Sequence, residues 1–156
     1  MENSQILSSH FSLSEFVVSQ TATRLDIDNV PTQEIIDALK LLCQHVLEPL
    51  RVALGPVIIS SGYRSPKLNS VIGGSATSQH CYGEAADIIV RNISCDHAAW
   101  WIHQNCQFDQ LIREFPPAGW VHVSYKKDRL RAQSLIANKV NSKTVYALWV
   151  PKGEHN

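Results

Sequence analysis

Between Ser78 and Asp87 the chain reads Ser-Gln-His-Cys-Tyr-Gly-Glu-Ala-Ala-Asp, the pattern S-x-H-x-x-G-x-x-x-D. Imidazole and carboxylate are both zinc ligands, and a catalytic zinc takes three protein ligands and keeps one position for water. His80 and Asp87 therefore call for a third ligand elsewhere. The best candidate is His122, in Trp120-Val121-His122-Val123-Ser124-Tyr125. Any one of these residues alone would be an ordinary polar side chain. Together they offer two imidazoles and one carboxylate, and an open coordination position is what separates a catalytic zinc from a structural one.

The elements around this motif can be read from capping and periodicity. Ser12 and Glu15 form a capping box, with Phe11 and Phe16 at the positions of a hydrophobic staple, and a short helix is expected to about Ser19. Residues 21–30 read as irregular or as a second short helix. Thr32 caps the longest helix, whose apolar face is Ile35, Ile36, Leu39, Leu42, Cys43, Val46, Leu50 and Ala53. Pro49 should kink or end it, and Gly55-Pro56 stops it. Val57–Ser60 and Glu84–Val90 read as strands, the second with Ala85, Asp87 and Ile89 on one face. Ser94 caps a helix to about Asn105. Strands follow at Phe108–Phe115 and Trp120–Tyr125, then a basic amphipathic tail from Asp128 to about Asn138 and a short strand at Val145–Val150. This order predicts an α+β fold, helices packed against a mainly antiparallel sheet, formed as a single domain over residues 1–156.

Ser61-Gly62-Tyr63-Arg64-Ser65, Asn69, Gly73-Gly74-Ser75, Ser78-x-His80, Gly83-x-Ala85-x-Asp87-Ile88 and Trp120-x-His122-Val123 together resemble the zinc D-Ala-D-Ala carboxypeptidases and related peptidoglycan peptidases. Their fold is shared with the hedgehog signalling domain. The resemblance runs from about Phe11 to Tyr125. It implies a zinc metallopeptidase, with Zn2+ held by His80, Asp87 and His122, that cleaves an amide bond in a peptidoglycan stem peptide as a carboxypeptidase or an endopeptidase. It also implies that Arg64 faces the substrate carbonyl as an oxyanion donor and that the Ser78 hydroxyl contacts substrate. Tyr63, Gln79 and Trp120 are candidate cleft residues, although aromatic packing explains Tyr63 and Trp120 equally well.

A metallopeptidase needs a general base. Many relatives place an acid three residues before the last histidine, where this chain has Gly119. The nearest upstream carboxylate is Glu114, across a short hairpin from His122, and it is the expected base, with Asp109 in reserve. If neither serves, the rival reading is a non-catalytic zinc-stabilised module that binds cell wall or builds a virion.

Composition excludes several other classes. Formal net charge is zero, so general nucleic-acid binding through a basic surface has no support. No apolar run approaches a membrane span, and Met1-Glu2-Asn3-Ser4-Gln5 is not the start of a signal peptide. The expectation is a monomer, cytoplasmic when made, acting on the wall if released or virion-borne, as a phage endolysin would be. There is no G-x-S-x-G, no H-E-x-x-H and no phosphate loop. The basic run over 126–143 reads as a solvated face or as an affinity for anionic wall polymers. Cys43 reads as a small buried hydrophobe, Cys81 as an improbable ligand, and the remaining histidines (His10, His45, His97, His103 and His155) as surface or helix-face residues.

Overall fold

The computed structural model describes residues 5–153; the Met1–Ser4 start and His155 discussed above lie outside the described residues. A small pair of strands, β1 (Ile6–Ser8) and β2 (Phe11–Ser12), leads into α1 (Leu13–Val17). The capping box is formed: the Ser12 backbone N–H donates to Glu15 Oε2 at 2.7 Å, and the Phe11 and Phe16 rings lie 6.1 Å apart. Helix α2 (Gln20–Arg24) resolves the next stretch in favour of a short helix.

Thr32 caps α3 (Gln33–Leu42), accepting from the Ile35 N–H at 3.4 Å. Where Pro49 was expected to kink or end the helix, the chain instead widens into a π-helical segment, Cys43–Leu47, before continuing as α4 (Glu48–Leu54). Proline cannot donate to the helix ladder, and the Glu48 N–H reaches back to the Cys43 carbonyl in a five-residue step. The extra residue shifts the phase of the apolar stripe. Leu47 thereby joins Leu39, Leu42, Val46 and Leu50 in full burial, whereas Ala53, expected on that face, is exposed. Each fully buried leucine contributes roughly 1.5–3 kcal/mol relative to exposure.

The sheet comprises β3 (Val57–Ser61), β4 (Ala85–Val90), β5 (Gln110–Glu114), β6 (Trp120–Ser124), β7 (Gln133–Val140) and β8 (Lys143–Leu148), in the order β3-β4-β6-β5-β7-β8. All neighbours are antiparallel except β5 and β7. The expected α+β fold with a mainly antiparallel sheet is what the chain forms. Helices α5 (Pro66–Val71) and α6 (Cys95–Asn105) complete it.

Period-two alternation divides the sheet. Ala86, Ile88, Val90, Leu111, Val121 and Val123 join the helices in one apolar core. The opposite face presents Asp87 paired with His122, which in turn pairs with Ile112, and beside that row Glu114 paired with Trp120.

The C-terminal part departs most from expectation. The stretch read as a basic tail is a loop followed by β7, which runs parallel to β5, and β8 begins at Lys143. The turn between them is Asn141–Ser142, both at positive φ (51° and 65°), as a two-residue hairpin of the twisted kind requires. The basic run does not form one face. Lys126 pairs with Glu84 at 3.6 Å, Lys139 lies over the Phe115 ring, and Arg129 and Arg131 turn toward Asp109. Among the described residues no helix is long and apolar enough to cross a membrane.

Candidate metal centre and catalytic cleft

His80 sits in a single turn of 3-10 helix, Gln79–Tyr82, whose cap Ser78 accepts from the His80 N–H at 3.3 Å. Gly83 ends that turn at φ 70°, and a Cβ there would meet the Ile35 carbonyl at 2.6 Å. The glycine of the motif thus turns the chain sharply from His80 into β4, where Asp87 points to the cleft. His122 stands opposite Asp87 on β6.

His80, Asp87 and His122 are all buried, and one ligand atom from each lies within 4.8 Å of the others. Asp87 Oδ1 is 3.3 Å from His80 Nε2 and 3.0 Å from His122 Nδ1. A tetrahedron of ~2.0 Å metal–ligand bonds has edges of roughly 3.3 Å, so these separations fit a zinc ion at the common focus. On its far side, His80 Nδ1 is 2.7 Å from the Gly62 carbonyl, which cannot donate, so Nδ1 carries the proton and Nε2 presents its lone pair. Burial lowers the His80 pKa against the opposing pull of Asp87, favouring the neutral ring that ligates metal. Burial pushes Asp87 up, but His122 and His80 beside it outweigh that and hold the carboxylate well below its ordinary range. Cys81 lies outside this group, and no further metal-binding cluster occurs among the described residues. His10 pairs with Glu48 and His45 stacks on Tyr125.

The centre opens into a cleft of about 700 Å3 that brings together Arg64, Ser78, Gln79, Glu114 and Trp120 with the three ligands. Arg64 Nη2 donates to Ser78 Oγ at 3.4 Å, while Arg64 Nε is buried with no acceptor among the described residues. Trp120 Nε1 is likewise buried and unpaired. Tyr63 is buried within the core and is not part of the cleft wall.

Glu114 lies at the end of β5 on the metal side of the sheet. Burial raises its pKa; His122 and Arg64 pull it down, and the charge of Asp87 adds to the rise. Asp109, the reserve, is elsewhere. It is wholly buried, takes Arg131 Nε at 2.6 Å and Nη2 at 3.2 Å, and accepts from Gln79 Nε2 at 2.9 Å. Its side chain is committed to those partners and does not line the cleft.

Gly119 has a steric explanation. A Cβ at that position would overlap the Glu114 carbonyl oxygen, and the Gly119 N–H donates to Phe115 O at 3.0 Å. The turn after Glu114 therefore has no room for a side chain at 119. Sequence reading missed Arg113, which is almost wholly buried and donates to the carbonyls of Glu114 (3.1 Å) and Pro117 (2.8 Å) while pairing with Asp96 at 2.5 Å. It also missed Tyr146, which reaches the cleft from β8. An arginine in strand alternation at a core-facing position was the available signal for the first; nothing local marked the second.

Over 50 residues the chain is 43% identical to the zinc D-Ala-D-Ala carboxypeptidase of Streptomyces albus G, a match covering 31% of this chain and 20% of that protein. The match thus spans about a fifth of the curated relative's length. The family model for Peptidase M15 matches residues 9–124, which include the three candidate metal ligands, Arg64, Ser78, Glu114 and Trp120, and the chain belongs to that family.

Proposed function

We propose that the protein is a zinc-dependent peptidase that hydrolyses an amide bond in peptidoglycan stem peptides, of D-Ala-D-Ala carboxypeptidase or endopeptidase type. The observation that carries this reading is a raised-pKa carboxyl, Glu114, in one cleft with three convergent metal ligands. His80, Asp87 and His122 hold the metal, whose Lewis acidity lowers the pKa of water and polarises the scissile carbonyl.

Glu114 is the general base. Its carboxylate takes the proton of the attacking water and returns it to the leaving amine nitrogen as the C–N bond breaks. Its raised pKa suits both halves of that task, because a base nearer the working pH also gives the proton back. Arg64, which lines the cleft beside the three ligands, donates to the substrate carbonyl oxygen as negative charge develops there. Ser78 holds the Arg64 guanidinium in place and contacts the substrate backbone beside it. Trp120 walls the cleft next to Glu114.

The same proposal takes residues 1–156 as one peptidase domain, since β7 and β8 complete the sheet begun within the family match. A monomeric state and a phage-type lytic setting belong to it as expectations of the sequence. Mass analysis of products from purified muropeptides tests the reading and names the bond. A new amine and carboxyl at a stem-peptide bond is the expected result; intact muropeptides with zinc-loaded protein would leave a non-catalytic wall-binding module.

A further inference from the structure

Beyond residue 124, where the family match ends, the chain adds β7 and β8 to the sheet, and these strands extend the cleft. One row of the cleft face reads Trp120, Glu114, Ala137, Tyr146 across β6, β5, β7 and β8. Neighbouring strands lie ~4.8 Å apart, so Tyr146 starts two strand spacings from Glu114. Ala137, wholly buried, is the residue between them in that row. Tyr146 lines the same cleft as Glu114 and the metal ligands, yet remains 54% exposed, open to a ligand entering from solvent. Its ring is close enough to the centre that Glu114 and Asp87, after burial, both raise its pKa. The phenol is therefore protonated at neutral pH, a neutral donor at the edge of a wall whose charged groups are Asp87, Glu114, Arg64, Arg129 and Arg131.

We propose that Tyr146 is a substrate-binding residue whose phenol O–H donates a hydrogen bond to a backbone carbonyl of the bound peptide, on the side of Glu114 away from the metal ligands. Strand order supports this placement. Arg64 follows β3 at one edge of the sheet and Tyr146 stands on β8 at the other, with the ligands on β4 and β6 and the base on β5 between them. A peptide lying across the strands, with its scissile carbonyl toward Arg64, passes Glu114 and reaches the hairpin. Leu135, opposite Ile112 in the row through His122, continues the wall there.

The inference rests on the peptidase reading in taking a peptide as ligand, and its test separates the two. Zinc-loaded Glu114→Gln protein, with and without Tyr146→Phe, is titrated with Nα,Nε-diacetyl-Lys-D-Ala-D-Ala, and Kd is measured by calorimetry. Zinc content and Tm are measured in parallel, and kcat and KM are compared for wild type and Tyr146→Phe. The expected result is unchanged zinc and Tm with Kd raised about three- to tenfold, as loss of one neutral hydrogen bond predicts. Kd within twofold in the presence and absence of the phenol overturns the proposal, as does failure of the peptide to bind at millimolar concentration. Tyr146-dependent binding without hydrolysis of this peptide or of muropeptides by wild type would instead keep this subsite and sink the peptidase reading.

Discussion

Arg113 and Glu114 are neighbours on β5 that face opposite sides of the sheet and serve the same turn. Arg113 grips the Glu114 and Pro117 carbonyls from the core side, and Glu114 projects into the cleft from the other. Gly119 closes that turn against the Glu114 carbonyl. Gly119→Ala should therefore cost about 1–3 kcal/mol, the usual range for forcing an atom into a packed site. It should also reduce hydrolysis out of proportion to its loss of zinc. Tm, metal content and turnover of the purified variant check this; a variant with wild-type turnover would show that the turn does not govern the base.

Removing a ligand should remove the metal. The wild-type protein is expected to carry about one zinc per chain, and His80→Ala, Asp87→Ala and His122→Ala each to lose it. Because metal binding adds to folding free energy, Tm should fall with metal content across the series. Elemental analysis and thermal melts measure both, and full zinc in all three variants would end the assignment.

Arg64→Ala should keep its zinc and lose roughly a hundredfold or more in turnover, the usual effect of deleting an oxyanion donor. The pH profile adds a second readout. As the proposed base, Glu114 must be ionised to act, and its pKa stands above the ordinary 4.5, so activity should fall as pH drops through a value higher than that. Arg64 is one of the charges that lower it, so its removal should move this acid limb further up in pH.

Asp109 is predicted to matter for stability rather than chemistry. Burial raises its pKa, but the hydrogen bonds from Arg131 and Gln79 outweigh that and bring it below the ordinary 3.8. Its contribution is therefore present above the unfolded value and lost as pH falls through the lower folded one. Asp109→Asn should cost on the order of 1–2 kcal/mol near neutral pH, discounted for the partial exposure of Arg131, and less in acid. Denaturant titrations at several pH values measure it.

The metal centre was legible because its chemistry is local. A histidine, a turn glycine and an aspartate at fixed spacing specify a turn leading into a strand, and period two then decides which side Asp87 and His122 face. The place of Glu114 in the cleft could be read for the same reason, through a hairpin short enough to turn it back toward the strand of His122. What escaped notice depends on contacts distant in sequence or on details of backbone phase. The π-helical segment exchanged Leu47 for Ala53 in the core, a one-residue shift that an ideal 3.6-residue period does not contain. Strand β7 pairs in parallel with β5 on the side away from β6, and Arg129 and Arg131 just before it disguised the stretch as a tail. Asn141–Ser142 lacks the glycine that flags a tight hairpin, so β8, and Tyr146 with it, was placed late and left without a role.

The most direct test of the account is turnover by Glu114→Gln. Glutamine keeps the size and reach of glutamate but cannot accept the proton, so zinc content, Tm and peptide binding should stay at wild-type values. Hydrolysis of purified muropeptides should fall about 10²–10⁴-fold, the usual contribution of a general base. Wild-type turnover in this variant would contradict the account, and its loss in Asp109→Asn instead would move the base to Asp109.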